Sequence, residues 1–211
     1  FAIRAKDADA TAGSGTGRRV GGGGACIYEN IVLRNCVVRE NSMKNSQQCR
    51  GGGVYCDGGI LENCYLLMNE TNCSTSNFGG GMYMIQGTMF NSVVAGNKLL
   101  GSAKPQGAGI FIESAKFYNN TIVNNEGGTA IACYTASKAD ASLTIYNSIV
   151  IAQAGKYAIE RTSTATPLEL VHCYVKSDQP APASGLTSLT DDGSASTNGT
   201  VTVRDNTKSA W

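Results

Sequence analysis

The chain has 211 residues, which is enough for one domain of medium size with a single hydrophobic core. Its 17 lysines and arginines nearly balance its 16 aspartates and glutamates, and the net charge of +1 argues against binding of nucleic acid or an anionic membrane by bulk charge. The single histidine and the eight cysteines without zinc-type spacing predict no metal site, and we expect no cofactor. No apolar run approaches the roughly 20 residues of a membrane-spanning helix, so no membrane span is expected.

Three regions follow one another along the chain. Residues 1–22 share no register with the sequence after them and are predicted to form an N-terminal cap or an irregular lead-in. Residues 23–178 carry a regular repeat, described below. Residues 179–211 are rich in Pro, Ser, Thr, Gly and Asp, and this composition predicts a C-terminal tail or cap segment.

Within residues 23–178, three sets of residues recur with the same step of 28 positions. The first set is an asparagine series that consists of Asn35, Asn63, Asn91, Asn119 and Asn147. The second set is another asparagine series, made of Asn41, Asn69, Asn97 and Asn125, which continues as Gln153. The third set is a glycine block that begins at Gly23, Gly51, Gly79 and Gly107. Three series that share one period predict an internal repeat.

Each repeat unit begins with the glycine block and continues with three short runs rich in Val, Ile, Tyr and Met. Gly and Asn bound these runs, a pattern typical of β-strands, and no unit shows the apolar period of a helix. A unit this small cannot bury a core alone, whereas stacked copies place equivalent positions about 4.8 Å apart. The sequence therefore predicts an all-β fold, a single-stranded parallel β-helix of about six coils.

The alternation along a strand predicts which columns, meaning the equivalent side chains of successive coils, face the core. In the first strand, two columns are predicted to face inwards. One consists of Cys26, Val54, Met82 and Ile110, and the other, two residues further along each strand, of Tyr28, Cys56, Met84 and Ile112. The column between them is predicted to face outwards and consists of Ile27, Tyr55, Tyr83 and Phe111. In the second strand, the outward column contains Phe90, Tyr118 and Tyr146.

Both asparagine series lie at strand ends, where the backbone turns and its polar groups lack partners within a sheet. A stacked Asn side chain can bond the turn of its own coil and the coil beside it, and Asn tolerates the left-handed backbone that such corners need. We therefore interpret both series as structural ladders rather than catalytic groups. His172 occupies the place of an Asn of the first series and is interpreted as a substituted rung.

Two cysteine pairs lie on neighbouring coils. Cys49 and Cys73 both fall in the long closing loops of adjacent units, where an adaptable backbone favours bridging, so a disulfide is predicted between them. Cys36 and Cys64 occupy one position on adjacent coils, and their spacing permits either a disulfide or two stacked thiols.

The repeat also resembles a known group of proteins. The GGGVY segment at 51–55, the Asn-Cys and Asn-Ser turns and the terminal Asn of each unit are similar to the right-handed parallel β-helix region of bacterial surface and secreted proteins in the pectate-lyase-like superfamily. Residues 117–120 (FYNN) and 23–26 (GGAC) resemble signatures of polymorphic outer-membrane repeat proteins. The resemblance implies a right-handed coil and a secreted or cell-surface location, and the superfamily includes polysaccharide hydrolases and lyases.

Two outward aromatic files are the candidate ligand surface. The predicted surface residues are Tyr55, Tyr83 and Phe111 in one file and Phe90, Tyr118 and Tyr146 in the other. Stacked aromatic side chains could present an amphipathic platform to a glycan or to a surface protein, or they could stack on one another and reinforce the sheet. We interpret the chain as a non-catalytic, adhesin-like module with such a partner and no nucleic acid.

The alternative function is that of a polysaccharide lyase or glycoside hydrolase, or a fragment of one, and a third interpretation is a structural spacer. Hydrolysis in this fold needs a pair of carboxylates on neighbouring coils, but Asp57 is the only Asp of the repeat before Asp140, and Glu62 has Arg34 and Phe90 as column neighbours. A lyase needs a base, and the candidate Lys116 has Thr88 and Thr144 as column neighbours. No catalytic residue is therefore predicted.

Overall fold

The computed structural model describes residues 2–3, 8–9, 21–45, 48–100, 105–133, 142–161, 168–176, 188–189, 195–196 and 201–204. Most of the segments 1–22 and 179–211, for which a cap and a tail or cap were predicted, lie outside the described residues. Within the described ranges, every regular element is a β-strand, so the predicted all-β class is confirmed.

The described strands are, in chain order, β1 (Ala2–Ile3), β2 (Ala8–Asp9), β3 (Ala25–Tyr28), β4 (Val32–Arg34), β5 (Val37–Arg39), β6 (Ser42–Asn45), β7 (Gln48–Arg50), β8 (Val54–Glu62), β9 (Tyr65–Leu67), β10 (Glu70–Cys73), β11 (Ser76–Phe78), β12 (Met82–Phe90), β13 (Val93–Ala95), β14 (Lys98–Leu99), β15 (Pro105–Gln106), β16 (Ile110–Ile112), β17 (Ala115–Tyr118), β18 (Thr121–Val123), β19 (Ile131–Cys133), β20 (Leu143–Tyr146), β21 (Ile149–Ile151), β22 (Ile159–Arg161), β23 (Leu168–Val171), β24 (Tyr174–Lys176), β25 (Ser188–Leu189), β26 (Ala195–Ser196) and β27 (Val201–Arg204).

Most of these strands stack into parallel sheets along a solenoid, and β25 and β26 form a separate antiparallel pair. The third strands of successive coils form one sheet in the order β1-β5-β9-β13-β18-β21-β24, and an 11-stranded sheet collects the first and second strands. Two smaller sheets, β14-β10-β6-β2 and β15-β11-β7, form the rest of the wall. Leu66 pairs with Val38 on one side and Val94 on the other. The predicted parallel β-helix with a repeat of about 28 residues is confirmed, with about five turns between β5 and β24.

The first coil departs from the predicted register by one residue. Ala25 pairs with Val54 and Cys26 with Tyr55, whereas Val32 pairs with Ile60. The extra residue is taken up in the turn between β3 and β4, where Asn30 has a φ of 67°. As a result, Ile27 faces the core and is buried, while Cys26 and Tyr28 are exposed. The prediction that Cys26 and Tyr28 face inwards and Ile27 outwards was wrong for this coil alone.

Apolar columns fill the interior of the solenoid. Two of these columns are fully buried, that of the second strands with Leu61, Met89, Phe117 and Ile145, and that of the third strands with Val38, Leu66, Val94, Ile122 and Val150. All of them belong to one continuous cluster of contacting side chains. Burial of each aliphatic side chain contributes about 1.5–3 kcal/mol, so the stacked columns are the main source of stability.

The second asparagine series forms a ladder inside the solenoid. Asn41, Asn69, Asn97 and Asn125 are all at most 1% exposed. The side-chain Nδ2 of each donates to Oδ1 of the next, at 2.8, 3.0 and 2.9 Å. Each Oδ1 also accepts the backbone N–H of the preceding rung, at 3.1, 2.9 and 3.0 Å. This ladder satisfies polar groups of the corner that burial would otherwise penalise.

The glycine blocks are explained by this ladder. A Cβ on Gly53 would lie 2.8 Å from Asn69 Cγ, and one on Gly81 would lie 2.9 Å from Asn97 Cγ. The equivalent Cβ on Gly109 would lie 2.9 Å from Asn125 Nδ2. The glycine at the third position of each of these blocks therefore leaves the space that the buried asparagine occupies.

A third ladder was not predicted from the sequence. It consists of the residues that follow the first asparagine series, and their side chains accept backbone N–H groups from the preceding coil. Cys64 N–H donates to Ser92 Oγ at 3.0 Å, Ser92 N–H to Asn120 Oδ1 at 2.9 Å, and Asn120 N–H to Ser148 Oγ at 3.0 Å. The residue type changes from coil to coil, so the pattern does not appear as a repeated letter.

Candidate functional site

The first aromatic file is buried, contrary to the prediction that it forms an open platform. Tyr55, Tyr83 and Phe111 are in register on β8, β12 and β16, and their rings stack with centroids 5.7 and 5.0 Å apart. Their exposed fractions are only 3, 4 and 2%. The three side chains point out of the central core, but they form a second apolar cluster instead of a solvent-facing surface.

The closing strands of the coils cover this file. Arg50, Phe78 and Gln106 form a column on the sheet β7-β11-β15. The Phe78 ring lies 4.8 Å from the Phe111 ring and 6.2 Å from the Tyr83 ring, measured between centroids. The Arg50 guanidinium lies 5.4 Å from the centroid of the Tyr83 ring, a cation–π contact. We predicted closing loops that could fold over the aromatic files, and the closing segments do cover this file, but as the strands β7, β11 and β15 rather than as loops.

Three polar groups meet at the middle of the covered file. The Tyr83 hydroxyl donates to Glu113 Oε1 at 2.6 Å. Arg50 bonds Gln48 through its Nη2 at 3.1 Å, while its buried Nε makes no hydrogen bond to the described residues. The short phenol–carboxylate bond and the nearby guanidinium hold charge of both signs beside the aromatic rings.

The second aromatic file is partly exposed. Phe90, Tyr118 and Tyr146 lie in register on β12, β17 and β20. Their rings are nearly parallel, with centroids 5.1 and 5.2 Å apart. Because the rings stack on one another along the solenoid axis, most of their faces are covered and their edges point towards solvent. In the same column, Arg34 and Glu62 form an ion pair at 2.8 Å.

The first asparagine series lies directly beside this file, at an exposed corner. All members have a left-handed backbone, with φ of 55°, 52°, 48°, 57° and 49° for Asn35, Asn63, Asn91, Asn119 and Asn147. Asn63 Nδ2 donates to Asn35 Oδ1 at 3.2 Å, and Asn119 Nδ2 donates to Asn91 Oδ1 at 3.0 Å. His172 has a φ of 53° at the equivalent place, which agrees with its interpretation as a substituted rung.

The file and the corner together form a continuous surface, which we call the aromatic–amide strip. It consists of Phe90, Tyr118 and Tyr146 with Asn91, Asn119 and Asn147. Each coil contributes one ring edge followed directly by one amide, so the same pair of groups recurs at about 4.8 Å along the axis. The strip can therefore offer a row of evenly spaced hydrogen-bonding groups with apolar edges between them.

Cys49 and Cys73 are joined by a disulfide, with Cα atoms 5.7 Å apart, and they pack with Met43 in a small buried cluster. The other cysteines in the structure are free thiols, Cys36 and Cys64 among them.

Burial raises the pKa of the Cys56 thiol to about 12. At neutral pH such a thiol carries almost no thiolate, so Cys56 is a core side chain rather than a nucleophile.

Removal of the disulfide is expected to lower the free energy of unfolding by about 3 kcal/mol, because the bond closes a loop with a sequence separation of 24. Urea unfolding of the Cys49→Ala, Cys73→Ala double variant measures this difference. The control is the Cys26→Ser variant, since Cys26 is an exposed free thiol and its change should leave the midpoint unaltered. Equal stability of the double variant and the parent would contradict the expectation.

The geometry defines a parallel β-solenoid with a repeating lateral strip. None of the protein-family models, curated proteins or solved structures compared with the chain matches it. In the described part of the chain, there is no helix whose length and hydrophobicity would let it cross a membrane. Within the same residues, no three His, Cys, Asp or Glu side chains converge as a metal ion would require.

Proposed function

We propose that the protein is a non-catalytic, adhesin-like β-solenoid module that binds a glycan along the aromatic–amide strip. The observation that carries the proposal is the exposed asparagine corner beside the ring edges of Tyr118 and Tyr146. A glycan has hydroxyl groups that repeat along its length, and a row of amides and phenols spaced by one coil can bond them in series. The ring edges between them add van der Waals contact with the apolar parts of the sugar rings.

We also propose that the module works outside the cytosol, in a secreted or cell-surface protein. The Cys49–Cys73 disulfide supports this location, because disulfides persist mainly in oxidising compartments. The resemblance to bacterial surface proteins of the pectate-lyase-like superfamily favours the same location. Antibody detection in the medium or cell envelope of the native cells is the expected result, and detection only in the cytosol would contradict it.

The binding proposal is tested with a variant that keeps the ring stack. Tyr118→Phe combined with Tyr146→Phe removes two hydroxyl groups and leaves the rings in place, so the fold should not change. If each hydroxyl contributes about 1 kcal/mol, affinity for a bound polysaccharide should fall by about tenfold or more. The ligands are a panel of neutral and uronate-containing polysaccharides, and titration calorimetry measures the affinity of the parent and of the variant for each of them.

The matched control makes the same chemical change on another face of the solenoid. Tyr65 and Tyr174 are 49 and 46% exposed on the outer side of the third-strand sheet. Tyr65→Phe combined with Tyr174→Phe should leave glycan affinity unchanged. No binding to any polysaccharide of the panel, or an equal loss in both double variants, would overturn the proposal.

The polysaccharide-active enzyme remains the second candidate, and Arg50, Tyr83 and Glu113 are the polar cluster that favours it. A phenol bonded to a carboxylate beside a guanidinium is a plausible acid–base set, but the 4% exposure of Tyr83 leaves little room for a polymer to reach it. We therefore expect no unsaturated products when the protein is incubated with uronate polysaccharides. Turnover that is lost in Tyr83→Phe or Lys116→Ala would establish the enzyme instead.

A further inference from the structure

The aromatic–amide strip is straight over three coils. The rings of Phe90, Tyr118 and Tyr146 follow one another with centroids 5.1 and 5.2 Å apart, and the planes of neighbouring rings differ by only 13° and 1°. A strongly twisted sheet would rotate each ring against the next, so the twist along this column is small. The strip therefore presents the same pair of groups at equal steps along one line.

The amides of the strip have hydrogen-bonding groups to spare. Asn91, Asn119 and Asn147 are all exposed. Asn119 Nδ2 donates to Asn91 Oδ1, but within the described residues Asn91 Nδ2, Asn119 Oδ1 and both side-chain polar atoms of Asn147 make no hydrogen bond. Each of the three coils therefore has an amide group that can bond a hydroxyl of a ligand.

The step of this row fits one kind of glycan backbone. In β-1,4-linked chains of glucose or mannose, both bonds to each ring are equatorial, and successive rings advance almost in a straight line by about 5 Å, close to the strand spacing of about 4.8 Å. Chains of glucose with α-1,4 or β-1,3 links curve into helices and would leave a straight row after one or two rings. A ligand whose repeat equals that of a rigid site contacts every rung without distortion.

We propose that the strip selects extended β-1,4-linked glycans and binds one sugar ring per coil, an inference that rests on the glycan binding proposed above. The chain would lie parallel to the solenoid axis. On each rung, a sugar hydroxyl would bond the amide, and the ring atoms of the sugar would contact the edge of the neighbouring aromatic ring.

The row of aromatic rings ends on both sides of these three coils. On one side, the column continues with Glu62, which forms an ion pair with Arg34 at 2.8 Å. On the other side it continues with Val171, which is only 8% exposed. Three complete rungs therefore set the length of the site at three sugar rings.

Linkage isomers test the selectivity at constant chain length. Titration calorimetry compares the β-1,4-linked hexaoses of glucose, mannose and N-acetylglucosamine with the α-1,4-linked and β-1,3-linked hexaoses of glucose. All are neutral, so the exposed Lys116 beside the strip does not bias the comparison. At least one β-1,4-linked hexaose is expected to bind about tenfold more tightly than both curved ones, because a curved chain loses one or two of the three rung contacts.

The outcomes separate this inference from the proposed function. Equal or tighter binding of a curved hexaose would overturn the selectivity and leave the glycan-binding function intact. So would a polysaccharide of the panel that binds through Tyr118 and Tyr146 when no β-1,4-linked hexaose binds. No binding to any ligand of either set would overturn both proposals.

Chain length tests the count of one ring per coil. In a β-1,4-linked series, affinity should rise about fivefold or more from two rings to three and change little beyond. Glu62→Tyr adds a ring that can stack on Phe90, and it should move this plateau from three sugar rings to four.

The matched control adds the same side chain elsewhere. Leu67→Tyr places a phenol on the outer side of the third-strand sheet and should leave the plateau at three rings. Circular dichroism checks that both variants are folded. A plateau that a folded Glu62→Tyr variant does not move, or that both variants move equally, would refute the alignment of the glycan with the solenoid axis.

Discussion

Replacement of Asn97 by leucine is expected to lower the free energy of unfolding by about 4 kcal/mol. The Asn97 side chain donates to Asn125 Oδ1 and to the Leu66 carbonyl, and it accepts from both the backbone and the side-chain N–H of Asn69. Leucine has a similar volume but removes these four buried hydrogen bonds, and each lost bond costs about 1 kcal/mol. Urea unfolding followed by circular dichroism measures the change.

The exposed ladder provides the control for this variant. Asn119→Gly removes the bond to Asn91 at 3.0 Å, while glycine accepts the φ of 57° without strain. Water can replace the lost bond at this exposed corner, so the expected cost is below about 1 kcal/mol. If Asn97→Leu were as mild as Asn119→Gly, the interior ladder would not stabilise the solenoid as described.

Substitution of Gly81 by alanine is expected to destabilise the protein by about 3 kcal/mol, because a single methyl group would enter a filled space. Its Cβ would lie 2.8 Å from the Gly109 carbonyl oxygen and 2.9 Å from Asn97 Cγ. Backbone and ladder would both have to move, which would weaken the bonds of Asn97 on each side. The free energy of unfolding of the variant measures the effect.

Gly128→Ala is the matched control for this substitution. The nearest atom to a Cβ on Gly128 is the methyl carbon Leu99 Cδ1 at 2.9 Å, and the next contact is at 3.5 Å. A flexible side chain can move aside, so the expected change is less than about 1 kcal/mol. A comparable loss in both variants would show that the contact with the ladder is not the cause.

The chain itself contains a natural version of this comparison. Gly24, Gly53, Gly81 and Gly109 occupy the position that faces the interior ladder. In the next coil, Ala130 takes that position, and there the ladder has ended, since Gln153 bonds the Gly127 N–H instead of Asn125. A methyl group appears only where the buried asparagine is gone.

The repeat and the fold could be predicted because the solenoid imposes the same environment on each coil. A position that must hold a buried amide or lack a Cβ recurs at each turn, so Asn69, Asn97 and Gly81 stand out as a period. The ladder of Cys64, Ser92, Asn120 and Ser148 was missed for the converse reason. Several residue types can accept one backbone N–H, and no repeated letter marks the position.

The candidate surface was less predictable because alternation along a strand gives direction but not accessibility. Tyr83 and Tyr118 both point out of the core, yet Tyr83 is buried and Tyr118 is partly exposed. The difference comes from Arg50 and Phe78, whose strands fold back over one file and not the other. Such coverage depends on the path of the closing segments, and their sequences carry no period that fixes it.

If side chains one repeat apart lie directly over one another, nuclear Overhauser contacts between backbone amides must connect successive coils. For Val94, we expect cross-strand contacts to the residues around Leu66 and Ile122. The pattern should recur at each coil of the third-strand sheet. Contacts restricted to near neighbours in sequence, or an antiparallel pattern between these segments, would contradict the solenoid and everything inferred from its surface.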